Sequence, residues 1–209
     1  YVLLLSVYYM LLHKYSAQED ILIGSPISHR DEKSLEQIIG FFDETIVLRT
    51  GINGEMSFSQ LVKEVRKTVL EAFSHKQVPF ETLVKEISPK RSLSTNPFFR
   101  VMFIYHDVKR APTFSDGLSL SHTFFNPGVS KFDLTLYIAN DKGILSSGFE
   151  YSTDIFEEAT IIEFQEHLTL LLEAVTAKAD EKIANFQMLT SWEKEFFLRK
   201  PDTTKGWFD

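Results

Sequence analysis

Cysteine is absent from the sequence, which excludes disulfides, thiolate nucleophiles and cysteine-ligated metals. The absence fits a reducing compartment, and a cytoplasmic location is the expectation. Tryptophan and methionine are scarce, at two and four residues beside nineteen phenylalanines. The interior expected is therefore rigid and ring-rich rather than soft and thioether-lined. No glycine-rich loop opens a helical pattern, so phosphate cradling by such a loop has no support. There is no H-E-x-x-H pattern, and none of His13, His29, His75, His106, His122 and His167 forms a pair at ligand spacing, so no metal site is expected. The G-x-S-x-G elbow of serine hydrolases is missing too. The most hydrophobic stretch, 1–12, runs straight into His13 and Lys14, well short of the ~20 apolar residues a membrane span needs. It has no basic leader or cleavage site and reads as the buried helix of a soluble domain. Positive charge is in the minority, with 22 Lys and Arg against 29 Asp and Glu for a formal net charge of -7. That balance favours solubility and disfavours a phosphate backbone, so neither nucleic acid nor membrane is an expected partner.

What is present suffices for one substantial core: 44% of the 209 residues are hydrophobic. Residues 1–15 read as a helix apolar on most sides, hence sandwiched. No initiator Met precedes it and the helix is already under way at Tyr1, so a piece of a longer polypeptide is expected. Beyond the polar turn 17–20, the apolar run 21–27 reads as a strand and 28–32 as polar loop. Ile46 and Leu48 alternate with Thr45, Val47 and Arg49, which predicts a second strand over 43–50. Ser57 with Gln60 three residues on predicts a capping box. Leu61, Val65, Val69 and Ala72-Phe73, at three- and four-residue intervals, predict the helix behind it. Pro79 opens a short helix carrying Phe80, Leu83, Val84 and Ile87.

Strands are expected over 99–105 and 118–125. Another is expected over 132–138, where Phe132, Leu134, Leu136 and Ile138 alternate with Asp133, Thr135 and Tyr137 to give one buried face. Asn140-Asp141-Lys142-Gly143 predicts a hairpin turn into a partner strand, 144–151. Asp154 and Glu157 are candidate caps for a helix running to Val175. A polar connector, 176–181, and a tail with a short helix over 192–198 follow. This order predicts an α/β (α+β) two-layer sandwich, a mixed sheet with helices packed on a face. The even βαβα rhythm of a doubly wound sheet is missing.

Few residues stand out as chemical groups. His13 and His167 fall on helices and read as packing or edge residues. His106-Asp107 follows a strand, and a loop role is preferred to proton transfer. Asp43 and Glu44 are neighbours on an extended chain, so they point to opposite faces and do not form a facing carboxylate pair. Arg30 is the charge of most interest. It follows Gly24-Ser25-Pro26 at a strand end, where loops over a rigid sheet carry function. A solvated side chain and an ion pair with a carboxylate outside this segment both stay open. Pro79-Phe80-Glu81 and Ser94-Thr95-Asn96-Pro97 read as geometry, a helix start and a turn.

In order along the chain, these marks match a known pattern. ILIGSPISHR (21–30) resembles the I-V-G-x-P-x-x-x-R stretch of the condensation domains of nonribosomal peptide synthetases. IIGFFDETIVLRT (38–50) resembles their I-G-x-F-V-N-T…L-R motif, and HKQVPFETLV (75–84) is similar to H-Q-D-x-P-F-E. RSLSTNPFFRVMF (91–103) is similar to R-x-x-S-x-N-P-L-F-Q-V-M-F, and KFDLTLYI (131–138) to the K-F-D-L-T strand. Each motif alone is weak, but five in the right order across most of the chain are a strong signal. MLTSWEKEF (188–196) also looks like the connector that leads into an adenylation domain.

The resemblance implies a chloramphenicol-acetyltransferase-like lobe, the C-terminal one of two that form a V with the active site in the cleft. Residues 1–178 would be the lobe and 179–209 the linker towards an adenylation domain. In such domains the amine of a carrier-bound aminoacyl acceptor attacks a carrier-bound donor thioester. Both are held on phosphopantetheine arms, and an amide bond results. The family's H-H-x-x-x-D-G motif belongs to the N-terminal lobe and does not occur here, so no catalytic residue is assigned to this chain. The implied roles are supporting ones. Arg30 aligns with the arginine that ion-pairs the aspartate of H-H-x-x-x-D-G, and Asn96 with the asparagine of the N-P motif near the cleft. Gly24 and Ser25 are implied to line the pantetheine tunnel. Gly40, Phe41, Thr45 and Arg49, in the stretch that resembles I-G-x-F-V-N-T…L-R, are implied to line the cleft. Implied partners are the N-terminal lobe, upstream and downstream peptidyl carrier domains and an adenylation domain, with no cofactor bound directly. Surface normally covered by the other lobe predicts self-association of the fragment. Two departures stand out: Asp43-Glu44 in place of Val-Asn, and Lys76-Gln77 in place of Gln-Asp. Epimerisation and cyclisation domains share the scaffold, and a non-catalytic carrier-docking lobe is the alternative.

Overall fold

The computed structural model describes residues 1–87, 96–107 and 128–198. In chain order its elements are α1 (Val2–Ser16), β1 (Asp20–Ser28), β2 (Asp43–Gly51), α2 (Phe58–Ser74), α3 (Phe80–Ile87), β3 (Val101–Asp107), β4 (Leu134–Asp141), β5 (Ile144–Tyr151), α4 (Glu158–Ala177) and α5 (Ser191–Leu198). Short 3₁₀ turns lie at Lys33–Gln37 and Ile183–Asn185. The strands form one mixed sheet in the order β2-β1-β3-β4-β5. Its two outer pairs are antiparallel, whereas β1–β3 and β3–β4 are parallel. Helices α1, α2 and α4 pack together over one face, which is the two-layer arrangement expected.

Helix α1 is the centre of the core because its sequence is apolar all round. Every residue from 4 to 11 is buried, and each large side chain contributes about 1.5–3 kcal/mol on leaving water. Ser6 donates to the Val2 carbonyl at 2.8 Å and Tyr9 to the Leu48 carbonyl of β2 at 2.8 Å, whereas the buried Tyr8 hydroxyl finds no partner among the described residues. Ala17 stops the helix in a left-handed conformation, φ 56°, its N–H donating to the His13 carbonyl. Helix α2 begins as the sequence predicts. Gln60 N–H donates to Ser57 Oγ at 3.2 Å, and Ser57 N–H donates to Gln60 Oε1 at 2.8 Å. Phe58, Leu61, Val65 and Val69 form its buried stripe. The hairpin between β4 and β5 turns through Lys142 and Gly143, φ 51° and 90°, the paired positive φ of a type I′ turn.

Several boundaries differ from the sequence reading. The strand expected over 99–105 starts at Val101, because residues 96–100 fold into a turn. Phe132 lies outside β4, and Ser28 belongs to β1 rather than to the loop. Thr135, expected on an open face, is 1% exposed, and its hydroxyl finds no partner among the described residues, so the sheet is covered there on both sides. Asp133 forms an ion pair with Arg100. Glu157 occupies the N-cap of α4 without a side-chain hydrogen bond. The strand expected over 118–125 lies outside the described residues. Among the described residues no helix is long and apolar enough to cross a membrane, and no cluster of acids and histidines is placed to hold a metal ion.

Candidate functional site

Five segments far apart in sequence meet on the sheet face opposite the helices. Gly24 alternates with Ile23 and Ser25 along β1, so it points away from the core. The ring of Phe99 sits directly on it, and a Cβ at position 24 would lie 2.2 Å from Phe99 Cε2. Asn96 delivers that ring. Its Oδ1 accepts from the N–H of Phe98 at 3.0 Å and of Phe99 at 3.2 Å, an Asx-type turn that folds the chain just before β3. Phe99 also packs against Phe132 and Phe80, with centroids 5.4 and 5.9 Å apart, and Phe80 against Phe98 at 5.8 Å. Glu44 at the start of β2 accepts from the Phe80 N–H at 3.3 Å, satisfying a free donor in the first turn of α3.

Arg30 lies next to this knot, in the loop that joins β1 to β2. The strands pair down to Ser28 opposite Asp43, and His29 N–H donates to the Phe42 carbonyl at 2.8 Å. Arg30 ties the loop from within. Nη1 donates to the carbonyls of Leu35 and Ile38, the latter at 2.9 Å, and Nη2 donates to Gly40 at 3.2 Å. Its guanidinium carbon also lies 4.2 Å from the centroid of Phe42, a cation–π contact. A guanidinium has about five N–H donors, so three carbonyls leave two, Nε–H and one on Nη2, without a partner among the described residues. Elsewhere in the chain, Arg49 uses Nε and Nη2 to grip Asp20 side-on, at 2.9 and 2.8 Å.

The other expected residues fall as follows. Gly40 and Phe41 are exposed on the loop, Phe41 at 90%. Thr45 is half-buried in β2 opposite Pro26. Arg49 belongs to the exposed pair with Asp20, whose hydrogen bond holds the Asp20 carboxyl below its ordinary range. Ser25 is a correction. Its side chain is 1% exposed on the core side, its Oγ donating to the Phe103 carbonyl and meeting the Tyr1 hydroxyl. Gly24 is small to admit Phe99.

Sequence reasoning missed two polar arrangements. His106 borders an open groove of about 1100 Å³ over β4 and β5, shared with Tyr137 and Glu150. Burial, then the Glu150 charge, pushes the Tyr137 hydroxyl up. On the helix side, buried His167 takes a 2.6 Å hydrogen bond with Tyr15 at Nδ1 and meets Glu193 of α5 at Nε2, 2.9 Å. Burial alone would raise the Glu193 carboxyl, but hydrogen bonds from His167 and from Thr190 outweigh it and hold it at about 2. A histidine on an apolar helix is legible as buried, but its partner 26 residues on is not.

Comparison with known proteins agrees with this arrangement. The family model described as "Condensation domain" matches residues 1–198. A linear gramicidin synthase polypeptide of Brevibacillus parabrevis is 38% identical over 99% of this chain and 4% of its own length. Bacitracin synthase 1 of Bacillus licheniformis is 34% identical over 100% of this chain and 4% of its own length. This chain spans between 2% and 8% of the length of the curated relatives it matches. Among solved structures, a holo four-domain nonribosomal peptide synthetase bound to AMP and glycine superposes with a TM-score of 0.81 at 23% identity, over 92% of this chain and 16% of that one. The X-domain from teicoplanin biosynthesis, in its complex with OxyB, superposes at 0.78 with 25% identity, over 91% of this chain and 42% of that one. With the mixed sheet and packed helices described above, these matches show that the chain belongs to the condensation-domain family of nonribosomal peptide synthetases, with a chloramphenicol-acetyltransferase-like fold.

Proposed function

We propose that this chain is the C-terminal lobe of a condensation domain. In this reading it supports amide formation between a carrier-bound donor thioester and a carrier-bound aminoacyl acceptor and supplies none of the catalytic groups. Residues 1–178 are the lobe, and 179–209 lead towards an adenylation domain. The observation that carries the reading is the unfinished hydrogen bonding of Arg30. Three loop carbonyls hold its guanidinium in place, and two donors are left over among the described residues. A carboxylate from a facing lobe satisfies that pair, and the natural candidate is the aspartate of an H-H-x-x-x-D-G loop. Coverage points the same way, since nine-tenths of this chain matches well under half of the X-domain chain. The exposed apolar side chains of Ile39 and Phe41 on the Arg30 loop are the surface such a lobe covers.

The mechanism that follows assigns Arg30 an electrostatic and orienting role. Paired with the aspartate, it holds the catalytic loop of the other lobe in register while the histidine side of that loop meets the acceptor amine. Phosphopantetheine arms bring the thioesters in on carrier domains, which are partners and substrates rather than resident cofactors. Asn96, Phe99 and Gly24 act one step away, by fixing the sheet face on which the Arg30 loop stands. Cytoplasmic location accords with the cysteine-free composition.

The test compares the isolated 209-residue chain with a complete condensation domain containing it, each given loaded donor and acceptor carriers. Mass spectrometry should find the amide product only with the complete domain. Product formation by the isolated chain would refute the lobe assignment. The match to the X-domain in complex with OxyB favours a second reading, a lobe that docks a partner protein without chemistry. A complete domain that binds carriers yet never forms product would select it.

A further inference from the structure

We propose that Asp31, Lys76 and Glu44 are positioning residues that brace the Arg30 loop against the corner between α2 and α3. This inference rests on the role proposed for Arg30 and adds how that residue is aimed. Arg30 makes the loop rigid within itself by tying the carbonyls at 35, 38 and 40. Internal ties leave the orientation of the loop relative to the body unfixed. Burial does not fix it, because Ile38, Ile39 and Phe41 all face solvent, at 49%, 102% and 90% exposure.

Polar contacts to the body do. Lys76 stands in the turn after α2, which is closed by the Val78 N–H donating to the His75 carbonyl at 3.0 Å. Its ammonium pairs with Asp31, the residue next to Arg30. The Lys76 side chain is 20% exposed and that of Asp31 48%, so the lysine end of the pair is partly shielded while the carboxylate end meets solvent. Four residues further on, the Phe80 N–H donates to Glu44, just inside the end of β2 at which the loop returns. The two contacts hold both ends of the loop to one rigid corner, and Phe80 of that corner is itself seated in the aromatic knot. Arg30 is thereby aimed as well as tied, which matters because a misplacement of about 1 Å at a reacting centre costs up to ~100-fold.

The experiment uses Asp31→Lys, Lys76→Asp and the reciprocal double swap. In the 209-residue chain, hydrogen–deuterium exchange across 29–42 should speed up in each single variant and return towards wild type in the swap. In the complete condensation domain each single variant should lower kcat about fivefold with the KM for the carrier substrates unchanged, and the swap should restore it to within about twofold. Glu44→Gln, which keeps an acceptor oxygen, should retain most of the activity that Glu44→Ala loses. Unchanged exchange in the single variants would overturn the brace itself. Altered exchange with wild-type kcat, or a swap no better than the product of the singles, would overturn its positioning role. Arg30→Ala run in parallel separates the two ideas. If that variant keeps wild-type turnover, the role of Arg30 falls and the brace with it. If it is inactive while the pair variants are silent, only the brace falls.

Discussion

A methyl group at position 24 would overlap the Phe99 ring, and β1 and β3 are paired on either side of the contact, at Ile23–Val101 and Gly24–Met102. Gly24→Ala is therefore expected to destabilise the chain by about 1–3 kcal/mol, the usual range for overpacking. It should be read as a lower urea midpoint at unchanged slope. Phe99→Leu in the same chain should recover part of that loss. A Gly24→Ala chain as stable as wild type would mean that the ring has room to move aside. At this scale the sequence was only half legible. Asn96 read correctly as a turn residue, because an asparagine before proline has its own local hydrogen bonds to make. Ser25 did not read correctly. Whether a residue in an apolar strand faces helices or a cleft depends on register, which its neighbours in sequence do not reveal. The two departures from the family motifs now have partners: Glu44 receives an N–H of α3 and Lys76 pairs with Asp31.

Helices were the most legible elements. The α2 capping box emerges residue for residue, and Leu61, Val65 and Val69 are buried as expected, since both depend on interactions within four positions of each other. At the far end of the stripe Ala72 is half-buried and Phe73 faces solvent. Strand ends were less legible, and β3 starts two residues late because the Asn96 turn takes up Phe98 and Phe99. The docking of α5 was illegible because it rests on a pair between separate helices, His167 and Glu193. That pair makes a pH prediction. Glu193 is held near 2 against an ordinary 4.5, so the folded state favours its ionised form. The contribution is fully present above the unfolded value and is lost as pH falls through the folded one. Relative to Glu193→Gln, the wild-type chain should be more stable by a constant margin above about pH 5, shrinking towards zero near pH 2. Urea unfolding at a series of pH values checks it. A margin that persists undiminished at the acid end would show that the Glu193 charge is not what holds α5.

Across the whole molecule, the division of labour follows the two faces of the sheet. The helical face carries the continuous core, built around an α1 that has no solvent side along its middle. The other face carries the aromatic knot and supports the Arg30 loop, which leaves large apolar side chains in water and two guanidinium donors unused among the described residues. Fold class was legible from the order of elements alone, because a two-layer sandwich is what a mixed sheet with three amphipathic or apolar helices can bury. The convergence of five motifs on one knot was not legible, since it needs the sheet order. The unfinished state of Arg30 makes the account testable at a single residue. Arg30→Ala in a complete condensation domain should cut amide formation from loaded carriers by roughly a hundredfold or more, because the carboxylate proposed to pair with it would be left buried and unpaired. Arg30→Lys should rescue little, since an ammonium does not reproduce the planar fork. The thermal midpoint should stay close to wild type, because the core lies on the other face. Wild-type turnover in Arg30→Ala would contradict the account at its centre.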